Sequence, residues 1–298
     1  MKKRNLVRML ALLAALLLPG LAAADILTLP LDFDPAPRPQ GQFPAPYSSD
    51  AWNHYEDPSI TADYEVRLTP EWHTNFFISR VKIANGSQIR TAAANSFLKK
   101  GVAPAQTLAR RMNAVVAING DFYTGNAGRY VLRQGQVFRD SMAPGQDLLL
   151  IDEDGDFHII LAEEHPEEMD KTTIDGKKVH NALCFGPALI RDGEIVVDPS
   201  KAQDQSHPIA KEIRLGLCQL GPLEYLMVVN ANESLTLVEF ADFLKQTFPE
   251  VQQAYNLDGG MSAHMVFMGE LRNKAALVNG QDYRPVPDIL YFASAYQP

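Results

Sequence analysis

Two short stretches gather residue types suited to acid–base or anion-binding chemistry, and each follows an apolar run. The first is Asn119-Gly120-Asp121-Phe122-Tyr123, directly behind Val115-Val116-Ala117-Ile118. The second is Asn256-Leu257-Asp258-Gly259-Gly260-Met261-Ser262, behind a segment beginning at Gln253. Asp121 and Asp258 are carboxylates for proton transfer or metal binding. Asn119, Asn256 and Ser262 offer hydrogen bonds, and consecutive glycines let backbone N–H groups turn toward an anion. Loops after buried strands are frequent ligand sites because they vary over a rigid scaffold. Taken alone, each loop reads first as an ordinary turn, since Asn, Asp and Gly favour turns anyway.

The elements that must hold these loops are legible in the apolar pattern. Ala114 to Ile118 is a continuous apolar run, expected of a strand covered on both faces. Phe76 to Ile83 alternates in its second half like a half-buried strand, and Tyr130–Phe138 and Leu148–Ile160 look like hairpins. Pro104 to Met112 reads as a short helix with Leu108 and Met112 one turn apart. The most secure helix lies between Thr236 and Phe248. Thr236 and Glu239 form a capping-box pattern, and Leu237, Phe240, Ala241, Leu244 and Phe248 share one face. Pro249 stops it, a strand from Gln253 to Leu257 follows, and Ile289–Ala293 should be the last strand. Helices do not alternate regularly with strands, so the expected class is α+β: one domain with a large mixed β-sheet and few flanking helices.

The 298 residues, 46% apolar and 21% charged, suit such a domain. A net charge of −9 argues against an electrostatic nucleic-acid partner. That charge hides an asymmetry, because Lys2, Lys3, Arg4 and Arg8 precede an apolar run from Met9 to Leu18 and the small residues Ala22-Ala23-Ala24. This is the order of a secretory signal peptide, residues 1–24, and the apolar run is too short for the roughly 20 residues of a membrane span. No later segment is apolar enough to span. The expectation is an exported protein, periplasmic or extracellular, whose mature chain is more acidic still. Six prolines between Pro30 and Pro46 mark residues 25–51 as an arm or linker, with the folded domain at 52–298. Export permits a disulfide between Cys184 and Cys218, but two buried thiols fit equally well. Asp152-Glu153-Asp154-Gly155-Asp156 reads as a solvated hairpin turn and lacks the downstream glutamate of a calcium loop. No histidine or cysteine spacing supports zinc.

As an ordered set, the polar words resemble the phosphodiester glycosidase family, and its bacterial branch associated with exopolysaccharide biosynthesis. Asn256-Leu257-Asp258-Gly259-Gly260-x-Ser262 is similar to the family signature, and Ala117-Ile118-Asn119-Gly120-Asp121-Phe122-Tyr123 to its first motif. Tyr130 to Gly135, Phe185-Gly186-Pro187-Ala188-Leu189, Arg214, Gly269, Asn273, Arg284 and Asp288 fit in the same order. The resemblance covers about residues 55–292. It implies an exported hydrolase that cleaves a sugar-1-phosphodiester in a surface glycan, exopolysaccharide or glycolipid. The catalytic set it implies is Asp258, Asp121 and Arg214. His264, two residues past Ser262, reads first as a packing or supporting residue and second as a proton donor. Substrate contacts then fall to Asn119, Gly120, Arg133, Asn256, Gly259, Gly260, Ser262, Asn273, Arg284 and Asp288. Asp121, Asp258 and Asp288 together are a candidate site for a divalent cation, Ca²⁺ or Mg²⁺. The partner is a sugar phosphate, as a small molecule or within a glycan; the oligomeric state stays open.

Three departures leave a second reading open. Met261 and Ala263 stand where relatives have Gly and Ser, and Asn230-Ala231-Asn232 stands where they have Asp-Gly-Arg. A glycan-binding or assembly factor that keeps the pocket without turnover is that alternative. Either way, an acidic chain must bind phosphate through a local cluster of cations.

Overall fold

Every residue of the strand Ala114–Asn119 is buried, as its unbroken apolar run requires. Both faces of the strand are covered, and its side chains are shared between two apolar clusters. Val115, Val116 and Ile118 enter the main core beside Leu215, Met227 and Tyr255. Ala114 and Ala117 enter a second cluster with Leu108 and Ala109 of helix α1, Ala105–Arg111. The computed structural model describes residues 25–41, 53–125, 128–141, 145–164, 169–198, 207–232, 234–273 and 283–297. The proposed leader, residues 1–24, and the end of the arm lie outside the described residues.

Three sheets feed the main core. An eight-stranded sheet runs in the order Glu194–Ile195, Ala188–Arg191, Gln253–Leu257, Leu215–Gly221, Glu224–Asn230, Thr74–Ile83, Ile60–Thr69, His54–Asp57. A five-stranded sheet runs Glu270–Leu271, Met265–Phe267, Ala114–Asn119, Asp288–Ala293, Ile89–Ala93. A six-stranded sheet contains Leu148–Asp152, Lys177–Leu183 and Val131–Arg133 in adjacent positions. The α+β class holds; the β structure is divided among several sheets, and every strand pair recorded among the described residues is antiparallel. Antiparallel neighbours need only tight turns, which Gln134-Gly135, Asp192-Gly193 and Met268-Gly269 supply with positive φ at both positions.

Helix α2, Leu237–Thr247, lies on the outer face of the eight-stranded sheet. Its capping box forms: the Thr236 hydroxyl accepts the Glu239 N–H at 3.2 Å and the Glu239 carboxylate accepts the Thr236 N–H at 2.8 Å. Leu237, Phe240, Ala241 and Leu244 meet Phe76, Ile78 and Val228 beneath it. The strand Ile289–Ala293 expected from sequence is present but is not the last. Tyr296–Gln297 follows and pairs with Asp25–Ile26, a bridge too short to leave a periodic signal.

The described part of the Pro-rich arm is laid onto the domain. Leu29 and Ala36 are buried, and the side chain of Arg90, 2% exposed, holds the arm. Its guanidinium donates to Pro30 O at 2.8 Å, to Asp32 O at 2.9 Å and to Asp32 Oδ1 at 2.9 Å. Charge-assisted hydrogen bonds of this kind are worth roughly 1.5–3 kcal/mol each. Arg90→Ala should therefore expose residues 25–41 to limited proteolysis at protease concentrations that leave the wild type intact. Equal resistance of both proteins would show that the arm is held elsewhere.

Cys184 and Cys218 are both free, buried and in different apolar clusters, so no disulfide links them. Burial pushes the Cys184 thiol up to about 12. The acidic run at Asp152 is a hairpin turn, as expected. Asp152 Oδ1 accepts the N–H groups of Asp154 at 2.9 Å and Asp156 at 3.0 Å. The cation beside it is this chain's own Lys177, whose ammonium lies 3.0 Å from Asp154 and 3.2 Å from Asp156.

Candidate active site

The two polar loops leave different sheets and are tied together by one amide. Asn119 ends its strand in the five-stranded sheet; its Nδ2 donates to Asp258 O at 2.8 Å and its Oδ1 accepts the His264 N–H at 2.9 Å. Asn273 braces the same loop, donating to Ala263 O at 2.7 Å and accepting the Met265 N–H at 2.9 Å. Both asparagines therefore spend their groups on the protein. His264 is 1% exposed, bonds through Nδ1 to Ser262 O at 2.5 Å and packs against the Tyr283 ring. Burial lowers its pKa to about 4, so at neutral pH it is an uncharged brace, placed behind the cavity wall.

Beyond these braces the loops open onto a cavity of about 280 Å³. Asp258, Asn256, Gly259, Gly260, Arg214 and Arg284 line it. Asp258 is half-buried there, and withdrawal from water pushes its carboxyl up to about 6. The Ser262 hydroxyl, which donates to it, and the Arg284 and Arg129 guanidiniums pull the other way. Asn256 donates from Nδ2 to Gly186 O at 2.7 Å, while its buried Oδ1 has no partner. Because Gly186 O can only accept, this amide orientation is forced, and an acceptor faces an unmet hydrogen bond.

The glycines serve shape more than anion binding. A Cβ on Gly259 would overlap the Ile213 carbonyl oxygen, and Gly260 has φ +56°. The Gly260 N–H is already donated to Ile213 O at 2.8 Å. Arg214 also differs from the simplest expectation. It donates to Leu235 O at 3.1 Å, His207 O at 2.9 Å and Ala210 O at 2.5 Å, which fastens the His207–Ala210 segment to the wall. Burial lowers its pKa to about 10, leaving it charged at neutral pH. Arg284 is the exposed cation on the cavity.

Asp121, Asp288 and Arg133 form a fully buried array outside that lining, yet close enough to Asp258 for the carboxylate charges to act on one another. Arg133 donates to Asp121 Oδ1 at 2.7 Å and also to Ala182 O, while Asp121 Oδ2 accepts the Cys184 N–H at 2.8 Å. Asp288 Oδ2 lies 3.5 Å from Arg133, too far for a hydrogen bond, and both its oxygens lack partners. Desolvation first, and the Asp121 charge second, hold the Asp288 carboxyl well above the ordinary carboxylate range. Gly120 is required here, because a Cβ would overlap the Asp288 carboxyl. Among the described residues no group of three Asp, Glu, His or Cys side chains is arranged to hold a metal. The Arg133 guanidinium occupies the place beside Asp121 and Asp288 that a cation was expected to take.

A family model described as phosphodiester glycosidase matches residues 112–293, more than half of the chain and every loop just described. The chain belongs to the phosphodiester glycosidase family. The catalytic domain of zebrafish N-acetylglucosamine-1-phosphodiester alpha-N-acetylglucosaminidase, a structure auto-inhibited by its pro-peptide, has a similar fold. It is 17% identical, with a TM-score of 0.59 over 82% of this chain and 86% of that one. A hypothetical protein from Synechocystis, also 17% identical, gives a TM-score of 0.50 over 78% of this chain and 62% of its own. No curated protein sequence matches. At these identities the structures show a shared fold.

In this glycosidase-family chain the residues singled out from sequence divide three ways. Asp258, Asn256, Gly259, Gly260, Arg214 and Arg284 reach the cavity, with Ser262 bonded to Asp258. Asn119, Asn273 and His264 brace the loop, and Asp121, Arg133, Asp288 and Gly120 lie in the buried array. Glu212, which lines the cavity, was missed from sequence; Phe122 and Phe185, quoted within the motifs but given no role, line it too. Arg129 was missed as well; it donates to Asp121 O at 2.5 Å and sits 4.8 Å over the Phe185 ring. Glu212 carries no motif, and its only available signal was its place two residues before Arg214.

Proposed function

We propose that the protein is an exported hydrolase that cleaves a sugar-1-phosphodiester of a surface glycan, exopolysaccharide or glycolipid. One observation carries this reading: Asp258, poised near pH 6, shares a small cavity with the exposed Arg284. A general base works best when its pKa lies near the operating pH. Asp258 takes a proton from water as the water oxygen bonds to the anomeric carbon. The bond from that carbon to the phosphate oxygen breaks, and its electron pair stays on the phosphate. Free sugar and a phosphate monoester result. The second ionisation of such a monoester lies near pH 6, so the leaving group departs without a protein acid. Arg284 offsets its added charge.

Positive charge develops at the anomeric carbon, and the second carboxylate on the cavity is Glu212. In this reading Glu212 stabilises the oxocarbenium-like centre, and Asp121 supports the loop from behind. Arg129 and Arg214 hold the walls. Purified protein should release free sugar from α-linked sugar-1-phosphodiesters; no release across a broad panel would sink the proposal. Glu212→Gln should lower kcat about 100-fold with little change in KM, at the lower end of carboxylate contributions to catalysis. Unchanged kcat in that variant would remove Glu212 from the reaction. The resident base also predicts activity without added metal, measured in the presence of a chelator.

A further inference from the structure

Non-glycine residues with left-handed backbone usually have a local reason, and most here do. Gln134, Asp175, Asp192 and Met268 precede glycines in hairpins, Leu223 sits in another, and His73 and Asn113 follow helical turns. The two that remain are Phe122, φ +53°, and His207, φ +44°. Both line the cavity. A bulky residue in this region is held there by its surroundings, and such strain tends to collect at functional sites.

The surroundings that hold Phe122 are specific. Its carbonyl accepts from Arg129 at 3.2 Å and from the Gly125 N–H at 2.9 Å. A Cβ on Gly125 would overlap the Phe122 ring, so the ring lies against a bare glycine. Arg129 also spans to Phe185, its guanidinium carbon 4.8 Å from that ring. Phe185 precedes Gly186, whose carbonyl fixes the Asn256 amide and leaves Asn256 Oδ1 unpartnered. One side of the cavity thus presents the Phe122 ring, with Phe185 and Asn256 buried in the wall behind it. The other presents Arg284, whose backbone N–H donates to Met261 O at 2.9 Å.

We infer that Phe122 is a specificity-determining wall of a sugar subsite, its ring covering the apolar C–H face of one pyranose. This deepens the functional reading above and rests on it. The sugar lies against Phe122, whose ring is backed by Gly125 and the Arg129–Phe185 stack, and the phosphate extends toward Arg284. Aromatic walls with a few fixed polar atoms are the usual make-up of a small-ligand site.

The test compares Phe122→Asn with Phe122→Tyr. Asparagine tolerates left-handed backbone but removes the ring; tyrosine keeps it. Thermal midpoint, kcat and KM on a sugar-1-phosphodiester, and Kd for glucose 1-phosphate and N-acetylglucosamine 1-phosphate are measured for each. Phe122→Asn should fold at least as stably as the wild type, yet raise KM and Kd about tenfold, the effect of losing one aromatic contact. Phe122→Tyr should stay close to the wild type, and Gly125→Ala should reproduce the weaker binding by displacing the ring. Wild-type affinity in Phe122→Asn, or a loss of stability that tracks the loss of affinity, would overturn the subsite alone. A wild type that neither binds a sugar 1-phosphate nor cleaves a diester would overturn the functional reading and the subsite together.

Discussion

Asp258→Asn should lower kcat by about 100- to 10,000-fold on a sugar-1-phosphodiester, the range for removing a positioned general base. The amide keeps the size of the carboxyl and a contact for the Ser262 hydroxyl, so the loop should keep its shape. KM should therefore move little, which separates lost chemistry from lost binding. The wild-type pH profile carries the same information. Burial raises Asp258 to about 6, and a base must be ionised to act, so kcat/KM should climb as pH rises through about 6. In Asp258→Asn that limb should vanish from whatever activity remains. A profile that falls across this interval in the wild type would make Asp258 the acid and reverse its role.

Arg133→Met has the largest expected effect on stability. Arg133 is fully buried, with Asp121 at 2.7 Å and Asp288 at 3.5 Å. Removing one partner of a buried ion pair costs about 3–5 kcal/mol, because the remaining charge has no water to turn to. For a domain of this size that lowers Tm by on the order of 10 °C. Adding Asp121→Asn should recover part of the loss, since an amide leaves no bare charge beside Cys184 N–H. A single-variant loss below about 1 kcal/mol in denaturant unfolding would show that the array is not a structural ion pair.

Asp288 gives that array a pH dependence of its own. Its folded pKa is raised, so its contribution to stability is complete below the unfolded carboxylate value of about 3.9 and is lost as pH rises through the folded value. Asp288→Asn should remove this slope. The comparison needs only unfolding curves at several pH values above 4.

How much of this was legible beforehand depended on the range of the interaction involved. The double-sided burial of Ala114–Asn119, the capping box at Thr236 and the polar loops at Asn119 and Asp258 are local patterns, and they appear where sequence places them. The family could be read too, because its words recur in fixed order. The short pair Asp25–Ile26 with Tyr296–Gln297 could not be read, since two residues carry no period and the partners stand at opposite ends of the chain.

Sequence alone determined the chemical inventory: one signature loop with Asp258, a set of arginines and asparagines in order, and a net acidic chain, so that the phosphate site proposed above has to rest on local cations. Only the tertiary structure decided which of those groups face the cavity. Asp121 stood as second carboxylate beside Asp258 in sequence, yet Arg133 and the Cys184 amide claim it, while Glu212 reaches the cavity with no motif at all. The reason is physical. A residue's type fixes what it is able to donate, accept or ionise; its burial and partners, set by contacts remote in sequence, fix whether that capacity remains for a substrate.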